Sequence, residues 1–150
     1  MDAYPVRQFH LKAPLTMVVP DAKSILNRAS LLAAFGTGEV FLACGAYAED
    51  TRALLGCLSS LGIRTEREAE GLRIFGCGGH IPNRRADLNV GSAGTCARFL
   101  TAMLAFLGGE YRMASSAQME KRPMELLCAL ETAGVSIAYE KTPGHFPFVM

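Results

Sequence analysis

Apolar and polar positions along the first half of the chain alternate between strand-like and helix-like spacing. Residues 15–19 (LTMVV) predict a strand that Pro20 ends. A helix over 24–35 follows, and four of its apolar residues take the i, i+4, i+7 and i+8 positions of a buried stripe: Ile25, Ala29, Leu32 and Ala33. Three polar residues share another face of the same helix: Ser24, Asn27 and Arg28.

The pattern then predicts a strand, a second helix and a hairpin. The stretch GTGE (36–39) breaks the first helix, and residues 40–43 fit a short strand. A helix begins near Asp50 or Thr51, either of which can cap it, and turns four leucines inward before Gly62: Leu54, Leu55, Leu58 and Leu61. Residues 63–76 predict a hairpin, in which IRTERE is the first strand, AEG the turn and LRIFG the second strand.

The second half repeats this β, α, β, α, β, β order. Its elements are LNV (88–90), a helix over 94–107, YRMASS (111–116), a helix over 123–134, and a hairpin of VSIAYE (135–140) with FPFVM (146–150). AFGTGE (34–39) and AFLGGE (105–110) agree at four of six positions. We predict an α+β (mixed α/β) fold of two βαβαββ units, unit one about 15–76 and unit two about 88–150, joined by a linker at 77–87. Because FPFVM has no polar tail after it, we expect the chain to be cut short.

Composition narrows the class of protein. Half of the 150 residues are hydrophobic and 19% are charged, which argues against disorder. The 15 basic and 14 acidic residues nearly cancel, so nothing predicts general binding to nucleic acid or to an anionic membrane. Five cysteines, an odd number without a CxxC pair, favour reduced thiols. With no apolar run of about 20 residues, we expect a soluble, cytoplasmic protein.

Polar side chains gather at the start of the first predicted helix. Two cations, a hydroxyl and an amide lie beside this helix N-terminus: Lys23, Arg28, Ser24 and Asn27. The helix end itself offers free N–H groups and partial positive charge. Such a place suits a phosphate or carboxylate. The alternative is a solvated polar face of an amphipathic helix.

A glycine-containing turn precedes the third predicted helix. In GSAGT (91–95), Gly91 and Gly94 allow the backbone to approach a ligand closely, and Thr95 with the first amides can receive negative charge. Arg98 follows one turn later. The stretch is neither GxGxxG nor a P-loop, and a plain strand-to-helix turn is the alternative.

A third basic group comes before the last predicted helix. In QMEKRP (118–123), Lys121 and Arg122 precede Pro123, which we expect at the first helical position. Arg122 would then project from a loop, where a guanidinium can bind a carboxylate or phosphate with two hydrogen bonds. A surface charge cluster is the alternative.

The corresponding loop of the first unit is AEDTR (48–52). Asp50 is most simply a helix cap, and it would orient Lys23 if the two side chains approach each other. The basic groups of both units stand at strand-to-helix junctions, so packed helices can direct their N-termini at one shared anion site.

With these motifs the chain resembles the enolpyruvate transferase family, and within it the 5-enolpyruvylshikimate-3-phosphate synthases (3-phosphoshikimate 1-carboxyvinyltransferases). The resemblance extends from about residue 15 to the last residue, and four segments carry it: DAKSILNRASLLAA, AEDTRALLGCLSSLGI, GSAGTCARFLT and QMEKRPMELLCALETAG. It implies a protein of two lobes, each an inside-out α/β barrel of three βαβαββ units. This chain would be part of the N-terminal lobe, which is left incomplete.

The resemblance also implies a reaction and a set of binding residues. The family transfers the enolpyruvyl group of phosphoenolpyruvate to the 5-hydroxyl of shikimate 3-phosphate and releases phosphate, a step of chorismate and aromatic amino acid biosynthesis. By resemblance, shikimate 3-phosphate binds Lys23, Ser24 and Arg28. Phosphoenolpyruvate binds Lys23, Gly94 and Arg122. Asp50, Ser92, Thr95 and Arg98 support these residues, and no metal or cofactor is implied.

Some positions depart from the family pattern. Ser92 stands where asparagine is usual, Phe99 where proline is frequent, and Gln118 where the first arginine of the last motif is usual. The family's acid/base groups belong to the second lobe, so we expect no catalytic residue in this part and no activity from the isolated chain. The sibling transferase acting on UDP-N-acetylglucosamine and a non-catalytic anion-binding module stay open as alternatives. Unpaired edges of an incomplete lobe also predict self-association.

Overall fold

The computed structural model describes Pro5, residues 22–45 and residues 47–150. Within that part of the chain, helices and strands alternate in the following order: α1 Lys23–Phe35, β1 Thr37–Ala43, α2 Glu49–Ser60, β2 Thr65–Glu68, β3 Gly71–Cys77, β4 Arg85–Asn89, α3 Gly94–Leu107, β5 Glu110–Ala114, α4 Ala117–Glu120, α5 Leu126–Thr132, β6 Ala138–Tyr139 and β7 Phe148–Val149. The strand predicted over 15–19 lies outside the described residues. The mixture of helices and strands confirms the α+β class.

The first sheet has the order β1–β3–β2, with both pairs antiparallel. The hairpin of β2 and β3 is the one that the sequence predicts. Leu72 and Ile74 of β3 are fully buried, and α1 packs against β1 and β3 on that side of the sheet. The charged residues of β2 lie toward solvent, as expected for a sheet covered on one face.

The second sheet has the order β4–β5–β7–β6. β4 and β5 are parallel and α3 is the connection between them, whereas β7 is antiparallel to both β5 and β6. The three-stranded part β5–β7–β6 therefore has the same order and directions as β1–β3–β2. Two copies of one unit would have such an order, and both the repeat and the unit boundaries stay predictions.

The core confirms the inward leucines of α2 and corrects the stripe of α1. Leu54, Leu55, Leu58 and Leu61 are buried, as predicted. On α1, however, Ile25 and Leu32 are 67% and 72% exposed. The packed side of this helix holds Leu26, Leu31 and Ala34 with two polar residues, Asn27 and Ser30. Ala33 is buried as predicted, and Ala29 is half-buried.

Several element boundaries differ from those predicted. β1 begins at Thr37, inside the expected helix breaker, and β4 begins at Arg85, inside the expected linker. The last long helix begins at Leu126, three residues after Pro123. Among the described residues, no helix is long and apolar enough to cross a membrane.

Candidate anion-binding site

An ion pair joins the first turns of α1 and α2. Lys23 Nζ lies 3.0 Å from Asp50 Oδ2, and the lysine side chain is 58% exposed whereas the carboxylate is 22% exposed. The structure therefore confirms that Asp50 and Lys23 approach each other. The expected capping role is wrong: α2 begins at Glu49, its N-cap is Ala48 without a side-chain hydrogen bond, and Asp50 lies in the first turn. Ser24, the next residue of α1, is half-buried.

A buried hydrogen bond lies between the same two helices. Helical spacing puts Asn27 on the same face as Ser24 and Arg28, and the structure buries Asn27 to 1% exposure, so a solvated polar face is wrong for this residue. Its Oδ1 accepts a hydrogen bond from Thr51 Oγ1 over 2.9 Å. This bond links the helix that carries Lys23 to the helix that carries Asp50, so it holds the two ends of the ion pair together. Sequence reasoning missed Thr51 as a positioning residue.

The guanidinium of Arg28 lies over an aromatic ring of α3. Its central carbon is 5.3 Å from the centroid of Phe99, a cation–π contact. This contact holds the charged end of the α1 side chain against α3. Phe99, one of the positions where the sequence departs from the family pattern, is therefore the residue that supports Arg28.

The GSAGT turn leads from β4 into α3. Gly91 has a φ of +56°, which favours glycine, and its N–H donates to Asn89 Oδ1 over 2.9 Å. α3 begins at Gly94, where an added Cβ would lie 3.2 Å from Arg98 Nη1. Arg98 folds back along its own helix and donates to the Gly94 carbonyl over 3.3 Å. Thr95 is half-buried in this first turn.

Short helix α4 is tied to this turn by serine hydroxyls. Ser116 is the N-cap of α4 and accepts a hydrogen bond from Met119 N over 3.2 Å. Its Oγ lies 2.7 Å from Ser92 Oγ, and its N–H donates to Gly91 O over 3.0 Å. The GSAGT turn and α4 therefore form one connected piece. Ser116 is a second positioning residue that the sequence analysis did not single out.

The connection brings Ser92 and Arg122 to one small cleft. Its lining residues are Ser92, Gln118, Met119 and Arg122, and its free volume is about 30 Å³. That volume holds one or two water molecules rather than an organic phosphate. Arg122 lies in the loop after α4, so Pro123 does not begin a helix as predicted. The described residues thus place Ser92 and Arg122, two of the predicted site residues, at the same cleft.

Two buried thiols, one on α2 and one on α3, lie next to the GSAGT turn. Cys57 Sγ donates to the Asn89 carbonyl over 3.4 Å, and Cys57 and Cys96 are hydrogen-bonded to each other. This contact lowers the pKa of Cys57 and raises that of Cys96, which burial also raises. The pair joins α2 to the start of α3.

The family model of EPSP synthase (3-phosphoshikimate 1-carboxyvinyltransferase) matches residues 11–150. The chain belongs to the EPSP synthase family. Its recognition from four motifs is confirmed, and the motifs at Lys23, Asp50, Gly94 and Arg122 are those of this family's N-terminal part.

Relatives and solved structures give the same assignment. The 3-phosphoshikimate 1-carboxyvinyltransferase of Nostoc sp. (strain PCC 7120) is 36% identical over all of this chain, and that of Laribacter hongkongensis is 44% identical over 88% of it. An EPSP synthase structure from Acinetobacter baumannii superimposes with a TM-score of 0.76 and 27% identity over 89% of this chain and 31% of its own. The chain spans about a third of the length of these EPSP synthases, 36% of the Nostoc enzyme.

Proposed function

We propose that this chain supplies part of the substrate site of a 3-phosphoshikimate 1-carboxyvinyltransferase. In that reaction the 5-hydroxyl oxygen of shikimate 3-phosphate forms a bond to C2 of phosphoenolpyruvate, the bond between C2 and the phosphate oxygen breaks, and inorganic phosphate leaves with the proton that the hydroxyl has lost. Membership of the EPSP synthase family carries this proposal. The basic side chains at helix N-termini support it, because both substrates are multiply anionic.

The residues have separate tasks in this proposal. Lys23, Ser24 and Arg28 bind shikimate 3-phosphate, and Lys23, Gly94 and Arg122 bind phosphoenolpyruvate. Fixed positive charge holds the two anions near each other against their mutual repulsion. Asp50 orients Lys23, with which it is paired. Ser92, Thr95 and Arg98 shape the turn next to Gly94, since Arg98 already donates to that glycine's carbonyl.

Two other proposals are less well supported. A transferase for UDP-N-acetylglucosamine usually has a reactive cysteine in the loop before the arginine, and residues 115–122 contain none. A non-catalytic anion-binding module would use the same basic residues without turnover.

We also propose a cytoplasmic location, which the cysteines support because all five are free thiols.

The test is a calorimetric titration of the chain with shikimate 3-phosphate. We expect saturable binding that Arg28→Ala weakens by about tenfold or more, since a charge-assisted hydrogen bond contributes roughly 1.5–3 kcal/mol. Arg85→Ala is the matched control. Arg85 begins β4, at the end of the strand remote from the GSAGT turn, and its side chain is 80% exposed.

Three outcomes would contradict the proposal. One is the absence of binding by a chain whose circular dichroism shows it folded. Another is equal weakening by Arg28→Ala and Arg85→Ala, which would indicate non-specific attraction. The third is tighter binding of UDP-N-acetylglucosamine than of shikimate 3-phosphate, which would assign the chain to the sibling activity.

A further inference from the structure

Arg122 lies in a short connection that neither neighbouring helix includes. Helix α4 ends at Glu120 and α5 begins at Leu126, so residues 121–125 join the two helices. One hydrogen bond ties this connection back to α4, since Arg122 N donates to Met119 O over 2.9 Å. The direction in which the Arg122 side chain leaves the backbone therefore depends on what holds the residues on either side of it.

An ion pair holds the residue that stands two positions before Arg122. Lys141 Nζ lies 2.7 Å from Glu120 Oε2. Lys141 begins a segment between β6 and β7, residues 141–144, which we call the 141–144 turn. The lysine side chain is 59% exposed, and an ion pair at such a position contributes little to the stability of the fold. Its removal should therefore leave the chain folded.

A backbone hydrogen bond from the same turn holds the residue two positions after Arg122. Met124 N donates to Gly144 O over 2.9 Å, and the Met124 side chain is buried. Gly144 has a φ of +75°, which favours glycine, although an added Cβ would meet nothing within 4 Å. Backbone direction rather than lack of space therefore favours glycine here, and the carbonyl of this residue is the one that Met124 uses.

The 141–144 turn is attached to the second sheet on both of its sides. Before the turn, both carboxylate oxygens of Glu140 accept hydrogen bonds from Arg112 on β5. After the turn come two buried aromatic residues whose ring centroids are 5.1 Å apart: Phe146 and Phe148. The turn therefore joins the connection around Arg122 to the sheet.

We propose that the 141–144 turn positions Arg122 for phosphoenolpyruvate, and that Lys141 is the positioning residue that acts through Glu120. This inference rests on the proposed function, which assigns Arg122 to that substrate. Lys141 fixes the chain just before Arg122 and also offsets the charge of Glu120. A carboxylate left free two residues from Arg122 would pair with its guanidinium or repel the anionic substrate, and either effect weakens the subsite.

The ion pair should affect one substrate and not the other. The residues proposed for shikimate 3-phosphate lie on α1, which packs on α2, α3 and the first sheet. The 141–144 turn belongs to the second sheet. A change at Lys141 therefore reaches Arg122 but not the residues on α1, whereas a general loss of structure would weaken the binding of both substrates.

Calorimetric titrations of the chain with each substrate test the proposal, with phosphoenolpyruvate added in the presence of saturating shikimate 3-phosphate. Lys141→Glu should raise the dissociation constant of phosphoenolpyruvate roughly tenfold, the scale of a charge-assisted hydrogen bond, and that of shikimate 3-phosphate by less than about twofold. Adding Glu120→Lys to this variant restores an ion pair with its partners exchanged. The dissociation constant of phosphoenolpyruvate should then return to within about threefold of the unmodified chain.

Arg85→Glu is the matched control. It makes the same change of charge and breaks another exposed ion pair, in which Arg85 Nη2 lies 2.8 Å from Glu110 Oε2. Both dissociation constants should stay as they are in the unmodified chain. Circular dichroism checks that each variant is folded, and Lys141→Ala replaces Lys141→Glu if that variant loses helical signal. Amide hydrogen exchange at Met124 should become faster in Lys141→Glu and not in the control.

The outcomes separate this inference from the proposed function. An unmodified chain that does not bind phosphoenolpyruvate contradicts the proposed role of Arg122, and the inference falls with it. If the unmodified chain binds phosphoenolpyruvate and Lys141→Glu binds it equally well, only the inference is overturned. The same conclusion follows if Lys141→Glu weakens both substrates equally, or if the exchanged ion pair does not restore binding.

Discussion

At the scale of single residues, the site depends on a polar contact inside the core. Asn27 is almost completely buried, and Thr51 Oγ1 donates to its Oδ1. A buried amide oxygen left without a donor retains the cost of leaving water. The contact therefore fixes how α1 is rotated about its own axis relative to α2. In that orientation Lys23 lies beside Asp50.

Thr51→Val tests this contact because valine has nearly the same shape without the hydroxyl. We expect the free energy of unfolding to fall by about 1–3 kcal/mol, since Asn27 Oδ1 is left unpaired in the core. Urea denaturation followed by circular dichroism measures the change. Thr37→Val, at an exposed position of β1, is the control and should change stability by less than about 0.5 kcal/mol. Equal losses in the two variants would contradict the role given to Thr51.

The same residues show what the sequence pattern cannot decide. Helical spacing predicts α1 correctly, but apolar residues occur nearly all round this helix, so several stripes fit the same period. The stripe that is buried is the one that meets α2 and β3, and Thr51 supplies a donor to the Asn27 oxygen that lies in it. Such a donor is 24 residues away in sequence and becomes visible only in three dimensions.

At the scale of elements, strands and helices follow the sequence pattern where local signals decide them. The β2–β3 hairpin has its predicted position because alternation and a turn agree. The start of α5 is different: Met124 N donates to Gly144 O over 2.9 Å, and the Met124 side chain is buried. This long-range contact holds the residues after Pro123 outside the helix. A prediction that uses only the proline as the start signal therefore begins α5 three residues too early.

Arg112 and Glu140 connect β5 to the residue that follows β6. Arg112 Nε donates to Glu140 Oε1 over 2.6 Å and Nη2 donates to Oε2 over 2.9 Å. These hydrogen bonds hold the pKa of the Glu140 carboxyl below its usual range. A lowered pKa means that the pair stabilises the fold above the unfolded value of about 4.3, and that this contribution is lost as pH falls through the lowered value.

Glu140→Gln should therefore lower the melting temperature at pH 7 but not at a pH below the lowered pKa. Thermal unfolding of both proteins across that range measures the difference. Glu70→Gln, at an exposed position of the turn between β2 and β3, is the control. A difference between Glu140→Gln and the unmodified chain that is the same at every pH would show that the charge of Glu140 is not what matters.

At the scale of the whole molecule, the described strands include two groups of the same order, β1–β3–β2 and β5–β7–β6, as two copies of one unit would have. The family could be predicted from the sequence because its four motifs lie at fixed spacing. The exposure of Ile25 and Leu32 could not, because these residues look like core residues until their neighbours are known.

We expect no turnover by this chain with both substrates present. The resemblance implies that the family's acid/base groups belong to a second lobe, and the chain spans about a third of the length of the EPSP synthases that it matches. A phosphate-release assay, with a full-length EPSP synthase as positive control, measures this. Release of phosphate above background that Arg122→Ala abolishes would contradict the expectation and place catalytic groups in this part of the family.

The two serine hydroxyls between the GSAGT turn and α4 have one hydrogen more than their mutual contact uses. Ser116 Oγ already accepts from Met119 N, and the bond between Ser92 and Ser116 consumes a single hydrogen whichever oxygen donates it. One O–H therefore stays available on whichever serine accepts in this contact. When Ser116 donates, the spare hydrogen belongs to Ser92, which lines the cleft, and rotation about the Cβ–Oγ bond of Ser92 sets its direction.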